Sequence, residues 1–268
     1  MPSPLPAPLG GPPPAEISLP RAPLARVLTQ VRFPTILKIE QRESIIPFQE
    51  LIRERYPLFV QETNEQIRVE IGPAGQTMRP EVTNVWRFLD LKQEWRISLT
   101  PDAVALETPR YTSRDDFLLR WLDILAAVAR VFEPAPAQRI GMRFIDQVTG
   151  EPLERIDTLV RSDAVGMAMP LLRGQVRHTM SEAALGVEEG EMMMRWGILP
   201  ANATIDPAVL PAIPQTSWIL DIDVWSAEPR NFAQDIFGPS FRALAERAYS
   251  VFRFMTTESF LRSYGAEL

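Results

Sequence analysis

Apolar residues recur along this chain with two different periods, and the switches between them mark out its elements. Residues 24–33 cluster apolar positions ahead of Pro34 and predict a strand, whereas residues 45–59 carry a helical pattern that breaks at Tyr56-Pro57. Segments 66–71, 85–91, 94–99 and 103–107 alternate or group their apolar residues and read as strands, with turns at Gly72-Pro73 and Thr100-Pro101-Asp102. Ser113 followed by Asp116 is a variant of the capping box. Phe117, Trp121, Ile124, Leu125 and Val128 then recur at helical spacing as far as Phe132, which makes this the clearest helix in the sequence. Pro134 and Pro136 end it, and residues 139–148 alternate Ile140, Met142 and Phe144 with polar residues as a strand does.

The order then restarts. Gly141-Met142-Arg143-Phe144 matches Gln30-Val31-Arg32-Phe33, and residues 151–160 form a weaker helix where 45–59 stood. Strands at 176–187, 191–199 and 217–224 lead through Asn231-Phe232 to a long helix at 240–254. The simplest account is an α+β fold of two diverged βαβββα units. Each would contribute to a curved antiparallel sheet with a long helix packed on it, in the manner of the TATA-box-binding-protein saddle or a helix-grip fold. The expected boundaries are 23–136 and 137–268 within one continuous fold. Residues 1–22 precede them as a flexible proline-rich tail with too little apolar surface to offset ordering.

Composition narrows the chemistry. The 268 residues are 46% hydrophobic and 23% charged, enough to build a sizeable core, and none is cysteine. Disulfides, thiolate metal sites and cysteine nucleophiles are thereby excluded. A net charge of −6 lowers the expectation of nonspecific attraction to nucleic acid or anionic lipid. With neither a secretory leader pattern nor a long uninterrupted apolar run, the expected setting is the cytoplasm, without membrane insertion. Phosphate-binding glycine loops, the nucleophile elbow and paired-histidine metal motifs are all missing from the sequence, so no cofactor is implied and an enzymatic role is disfavoured.

Four constellations remain. Asp221 and Asp223 lie two apart on a predicted strand, so both carboxylates share a face and could hold a divalent cation for metal-assisted hydrolysis, with Glu188 and Glu189 as further ligands; a solvated strand face gives the same pattern. Arg26, Arg32, Arg139, Arg143, Arg173 and Arg177 fall on predicted strands at even spacings. Of these, Arg32, Arg143 and Arg177 are the candidates for a cationic stripe that binds an anion or nucleic acid, and salt bridging is the plainer alternative. His178, the only histidine, is more readily a structural residue than a base. Methionines 167, 169, 180 and 192–194, with the apolar, proline-bearing stretch 200–214, suggest a surface that meets a partner.

Pro23-Leu24, Val31-Arg32-Phe33-Pro34, Pro47-Phe48-Gln49, Tyr56-Pro57, Trp86-Arg87-Phe88, Tyr111 with Asp116-Phe117, and the run from Arg139 to Asp146 together resemble a sporadically distributed bacterial protein family. The resemblance covers about the first 150 residues, and the second half only loosely through Trp218, Asp221 and Phe232. That family has no assigned catalytic residues, cofactor or substrate, so the resemblance implies a bacterial, intracellular protein and no reaction. Three readings follow: a non-enzymatic interaction or accessory subunit with a protein partner or a second copy, a nucleic-acid or nucleotide-binding saddle on the strand arginines, and a metal-assisted hydrolase at Asp221 and Asp223.

Overall fold

The computed structural model describes residues 5–72, 75–169, 171–172 and 174–267, and for 64–72 and 75–82 the backbone alone. Pro73 of the expected turn and Arg173 of the arginine set lie outside the described residues. In chain order the elements are β1 (Leu24–Arg32), α1 (Arg42–Ile52), β2 (Leu58–Gly72), β3 (Gly75–Leu89), β4 (Arg96–Thr100), β5 (Ala103–Thr108), α2 (Arg114–Phe132) and β6 (Arg139–Val148). The one-turn helices α3 (Glu151–Glu154), α4 (Ile156–Leu159) and α5 (Ser162–Val165) follow. β7 (Thr179–Val187), β8 (Gly190–Leu199), β9 (Ser217–Ser226), α6 (Gln234–Met255) and α7 (Glu258–Ser263) complete the chain.

The fold is α+β, and its nine strands form an antiparallel sheet in the order β2-β3-β4-β5-β1-β6-β9-β8-β7. No helix among the described residues is long and apolar enough to cross a membrane. The chain divides into two compact units, one of Thr29–Ile140 with Glu228–Gly238, the other of Met1–Leu28, Gly141–Ala227 and Pro239–Leu268.

In the unit built on Thr29–Ile140, the Ser113 hydroxyl accepts the Asp116 N–H at 3.1 Å and opens α2, with Asp115 and Asp116 set against the positive helix end. Phe117, Trp121, Ile124, Leu125, Val128 and Phe132 are all buried on the packed side of that helix. Phe48 of α1 meets Phe88 of β3 and Phe132 of α2, with ring centroids 5.3 and 5.9 Å apart. α1 stops at Ile52, short of the expected Phe59, because a residue before proline is kept out of the helical region and Tyr56 precedes Pro57. The released apolar residues Leu58, Phe59 and Val60 open β2 instead.

β2 and β3 are far longer than the expected strands 66–71 and 85–91. They pair over fifteen positions, from Leu58 opposite Leu89 to Gly72 opposite Gly75. β4 joins β3 only along Trp86–Leu89, which leaves eleven of those fifteen pairs with no third strand beside them among the described residues.

The other unit encloses Met192 and Met194 of β8, Trp218, Leu220, Ile222 and Val224 of β9, and Phe241, Leu244, Ala248 and Val251 of α6. The expected helix 151–160 is broken into short turns, and β7 starts at Thr179, so Arg177 and His178 lie ahead of it rather than within it. Residues 5–22, expected as a flexible tail, are held along α6 and α7. Arg247, 3% exposed, donates to the carbonyls of Pro8 and Gly11 at 2.7 and 3.0 Å while its guanidinium grips Glu189 at 2.7 and 3.0 Å. The Ile17 N–H donates to the Tyr249 hydroxyl at 2.8 Å, and the Arg21 N–H to the Tyr264 carbonyl at 3.2 Å. A proline-rich segment is thus fixed through its carbonyls and the few amide donors it has, a route that tail composition does not reveal.

Candidate functional site

The densest charged constellation crosses the sheet within the second unit. Arg143 on β6 donates from Nε and Nη2 to the two oxygens of Asp221 on β9, at 2.8 and 2.9 Å. Asp221 stands opposite Arg195 of β8 in register, and Arg195 opposite Glu182 of β7. Arg195 reaches Asp221 at 3.4 Å and Glu182 at 2.6 Å, so charges alternate along one row of the sheet. The stretch 200–214 closes over its end: the second carboxylate on Arg143 is Asp206, at 2.8 Å. A turn holds Asp206 in place, because the Thr204 hydroxyl donates to the Leu210 carbonyl and the Ala208 N–H to Asp206 Oδ1.

The Asp221 and Arg143 side chains are 2% and 11% exposed, so this is an interior network. Burial disfavours the Arg143 charge, yet its hydrogen bonds and attraction to Asp221, then to Asp206, raise its pKa above that of an ordinary arginine. Both Asp221 oxygens receive guanidinium N–H groups, so in this arrangement the carboxylate is a partner of arginine and its lone pairs do not face an open cation site. Asp223, two positions along, is opposite Met193 and more exposed. Among the described residues no three His, Asp or Glu side chains converge as metal ligands.

The candidate arginines have separate environments. Arg143 is committed as above. Arg177 is exposed in a bend before β7, as is His178. Arg32 lies at the end of β1, half-exposed, 3.3 Å from Asp102, in a cleft of about 490 Å³ that Arg139, Thr35 and Gln138 also line. That cleft keeps two of the sequence-selected arginines together.

Sequence reading missed Asp146 as a site residue, although its phase was visible. It shares a face of β6 with Ile140, Met142 and Val148, opposite to the face of Arg143, and is 4% exposed with no ion pair among the described residues. Burial pushes its carboxyl up to about 7. Tyr264, after α7, is pushed up to about 12, first by burial and then by the Asp146 charge. Glu182, Arg195 and Asp206 were missed as a set because only strand register and loop closure assemble them.

No protein-family model matches the chain, and no curated protein matches it.

Proposed function

We propose that the chain is a non-enzymatic interaction or accessory subunit of the bacterial cytoplasm that holds a protein partner through the β2–β3 ribbon. The observation that carries this reading is the run of eleven strand pairs that no third described strand joins. A two-stranded ribbon is marginal in water on its own, and its outer edge offers unpaired N–H and C=O groups that another chain can satisfy by strand addition. The charged network supports it from the other side, since Asp221 and Arg143 are engaged with each other.

The ribbon also stands out against an internal duplication, which we infer from strand order. Outward from β1 the sheet runs β5, β4, β3, and outward from β6 it runs β9, β8, β7; β2 has no counterpart. Each series carries an arginine–aspartate pair, Arg32 of β1 with Asp102 of the β4–β5 turn and Arg143 of β6 with Asp221 of β9. A saddle of two βαβββα units accommodates both features.

Replacing residues 65–82 with Asn-Gly leaves Asn64 opposite Thr83 and closes a two-residue hairpin in register. Affinity recovery from native cells, after nuclease treatment, is expected to bring down a stoichiometric protein with the full chain and to lose it with the shortened one, whose melting transition is retained. Recovery of the same protein by the shortened chain overturns the ribbon assignment. A second reading, binding of an anion or nucleic acid at the cleft of Arg32 and Arg139, is favoured by that pairing of arginines. It predicts recovery of nucleic acid, steeply weakened by salt and lost in Arg32→Gln.

A further inference from the structure

We propose that the cleft between the end of α1 and the middle of α2 is a binding site for a small organic anion, a carboxylate or phosphate head on an apolar body. The cleft, of about 390 Å³, has an apolar wall of Leu51, Ile52 and Ala127 and bears Tyr56, Arg120 and Arg130. Sites for small molecules combine these same parts, a mostly apolar concavity with a few convergent polar groups.

Tyr56 gives the clearest requirement for a ligand. The residue is 3% exposed, and among the described residues its O–H finds no acceptor. Burial raises the phenol's pKa, and the charge of Arg120 and a hydrogen bond from it lower the pKa by less. A guanidinium has donors only, so Arg120 cannot accept the phenol proton. A buried O–H without an acceptor is costly, and an anionic oxygen placed here would receive both the Tyr56 O–H and an Arg120 N–H.

Arg120 is held ready for such a role. Its Nε donates to both Asp116 oxygens at 3.1 Å, and its guanidinium carbon lies 4.4 Å from the Trp95 ring centroid. This leaves the four N–H groups of its two terminal nitrogens outside the Asp116 contact. Arg130, exposed in the last turn of α2, has no ion pair among the described residues. The carboxylates at the cleft are Asp123, which is paired with Arg55 at 2.9 Å, and Glu54, so three arginines face two acids and the lining is cationic. The apolar wall selects for a body behind the head: Leu51 is 42% exposed, and contact with a ligand ring or short chain would cover it.

Calorimetric titration of the full chain tests the site with phenyl phosphate and benzoate as probes, inorganic phosphate as a head without a body, and benzyl alcohol as a body without a charge. At least one of the two complete anions is expected to bind, about tenfold or more above either fragment, and Arg120→Gln is expected to weaken it about tenfold or more. Arg32→Gln should leave it unchanged, which separates this cleft from the one at Arg32. Tyr56→Phe is expected to weaken the anion while leaving the melting temperature of the ligand-free chain unchanged or higher, since it removes a buried O–H that has no acceptor. Absence of binding by both anions, equal binding of either fragment, or a lowered melting temperature in Tyr56→Phe overturns the proposal.

Discussion

Asp146 makes the stability of this protein fall as pH rises from about 4 to neutrality. Its carboxyl titrates near 7 in the folded chain against an ordinary value of 3.8, because burial in the β6 core penalises the charged form. Between those two values the folded state binds the proton and the unfolded state releases it. Stability from this group is therefore full below about pH 4, declines through the window, and is level above about pH 7. A shift of about three units at 1.36 kcal/mol each gives a loss on the order of 4 kcal/mol across the window. At 4% exposure, solvent screening does little to reduce it. Tyr264 ionises well above this range, and Glu151 and Arg155, the other charges acting on Tyr264, are paired with each other at 2.9 Å. Urea unfolding of the wild type and of Asp146→Asn at pH 5, 6, 7 and 8 checks the reasoning. The variant is expected to gain on the wild type from pH 5 to 7 and to level off between pH 7 and 8. Any cost of burying the amide is the same at every pH and leaves that slope intact. A difference between the two proteins that stays constant from pH 5 to 8 would refute it.

Two further perturbations probe the second unit. Arg143→Ala strands the buried Asp221 carboxylate with only the 3.4 Å contact to Arg195, and is expected to cost about 3–5 kcal/mol in urea unfolding. Arg143→Met combined with Asp221→Leu should recover most of that loss, and a single-variant cost under about 1 kcal/mol would mean the network contributes little. Arg247→Ala removes the anchor of Pro8 and Gly11. Hydrogen exchange at the Gly11 and Ile17 amides is expected to accelerate about tenfold or more, with early proteolytic cleavage before Leu24; unchanged exchange would show that other contacts hold the segment.

Elements whose signal is local were legible in the sequence. The α2 cap at Ser113, its apolar stripe and the alternation of β6 all depend on residues within a few positions of one another, and the structure places them where the pattern does. Long-range pairing was not legible in the same way. β2 and β3 extend well past their apolar segments because backbone hydrogen bonds between facing strands stabilise them, and polar stretches such as 61–66 carry no period that announces it. The N-terminal segment was read from its proline content, whereas what fixes it are partners more than 230 residues away in sequence, the buried Arg247 first among them.

The same distinction governs the sites. Even spacing on a strand correctly marks Asp221 and Asp223 as neighbours on one face, but the partner across the strand decides what a carboxylate does. Register sets Arg195 opposite Asp221, and Arg143 reaches it from β6, so an acid that could have met a divalent metal ion meets guanidinium instead. Arg32 and Asp102 show how much the covering chain matters. With side-chain exposures of 53% and 43% they form an open pair at a cleft, whereas 11% and 2% describe Arg143 and Asp221 beneath the loop that carries Asp206. On the duplication reading, one ancestral arginine–aspartate pair has been sealed in one unit by the stretch 200–214 and left open in the other, where the additional chain forms the ribbon. The open pair and the ribbon then belong to one unit, and the sealed pair to the other.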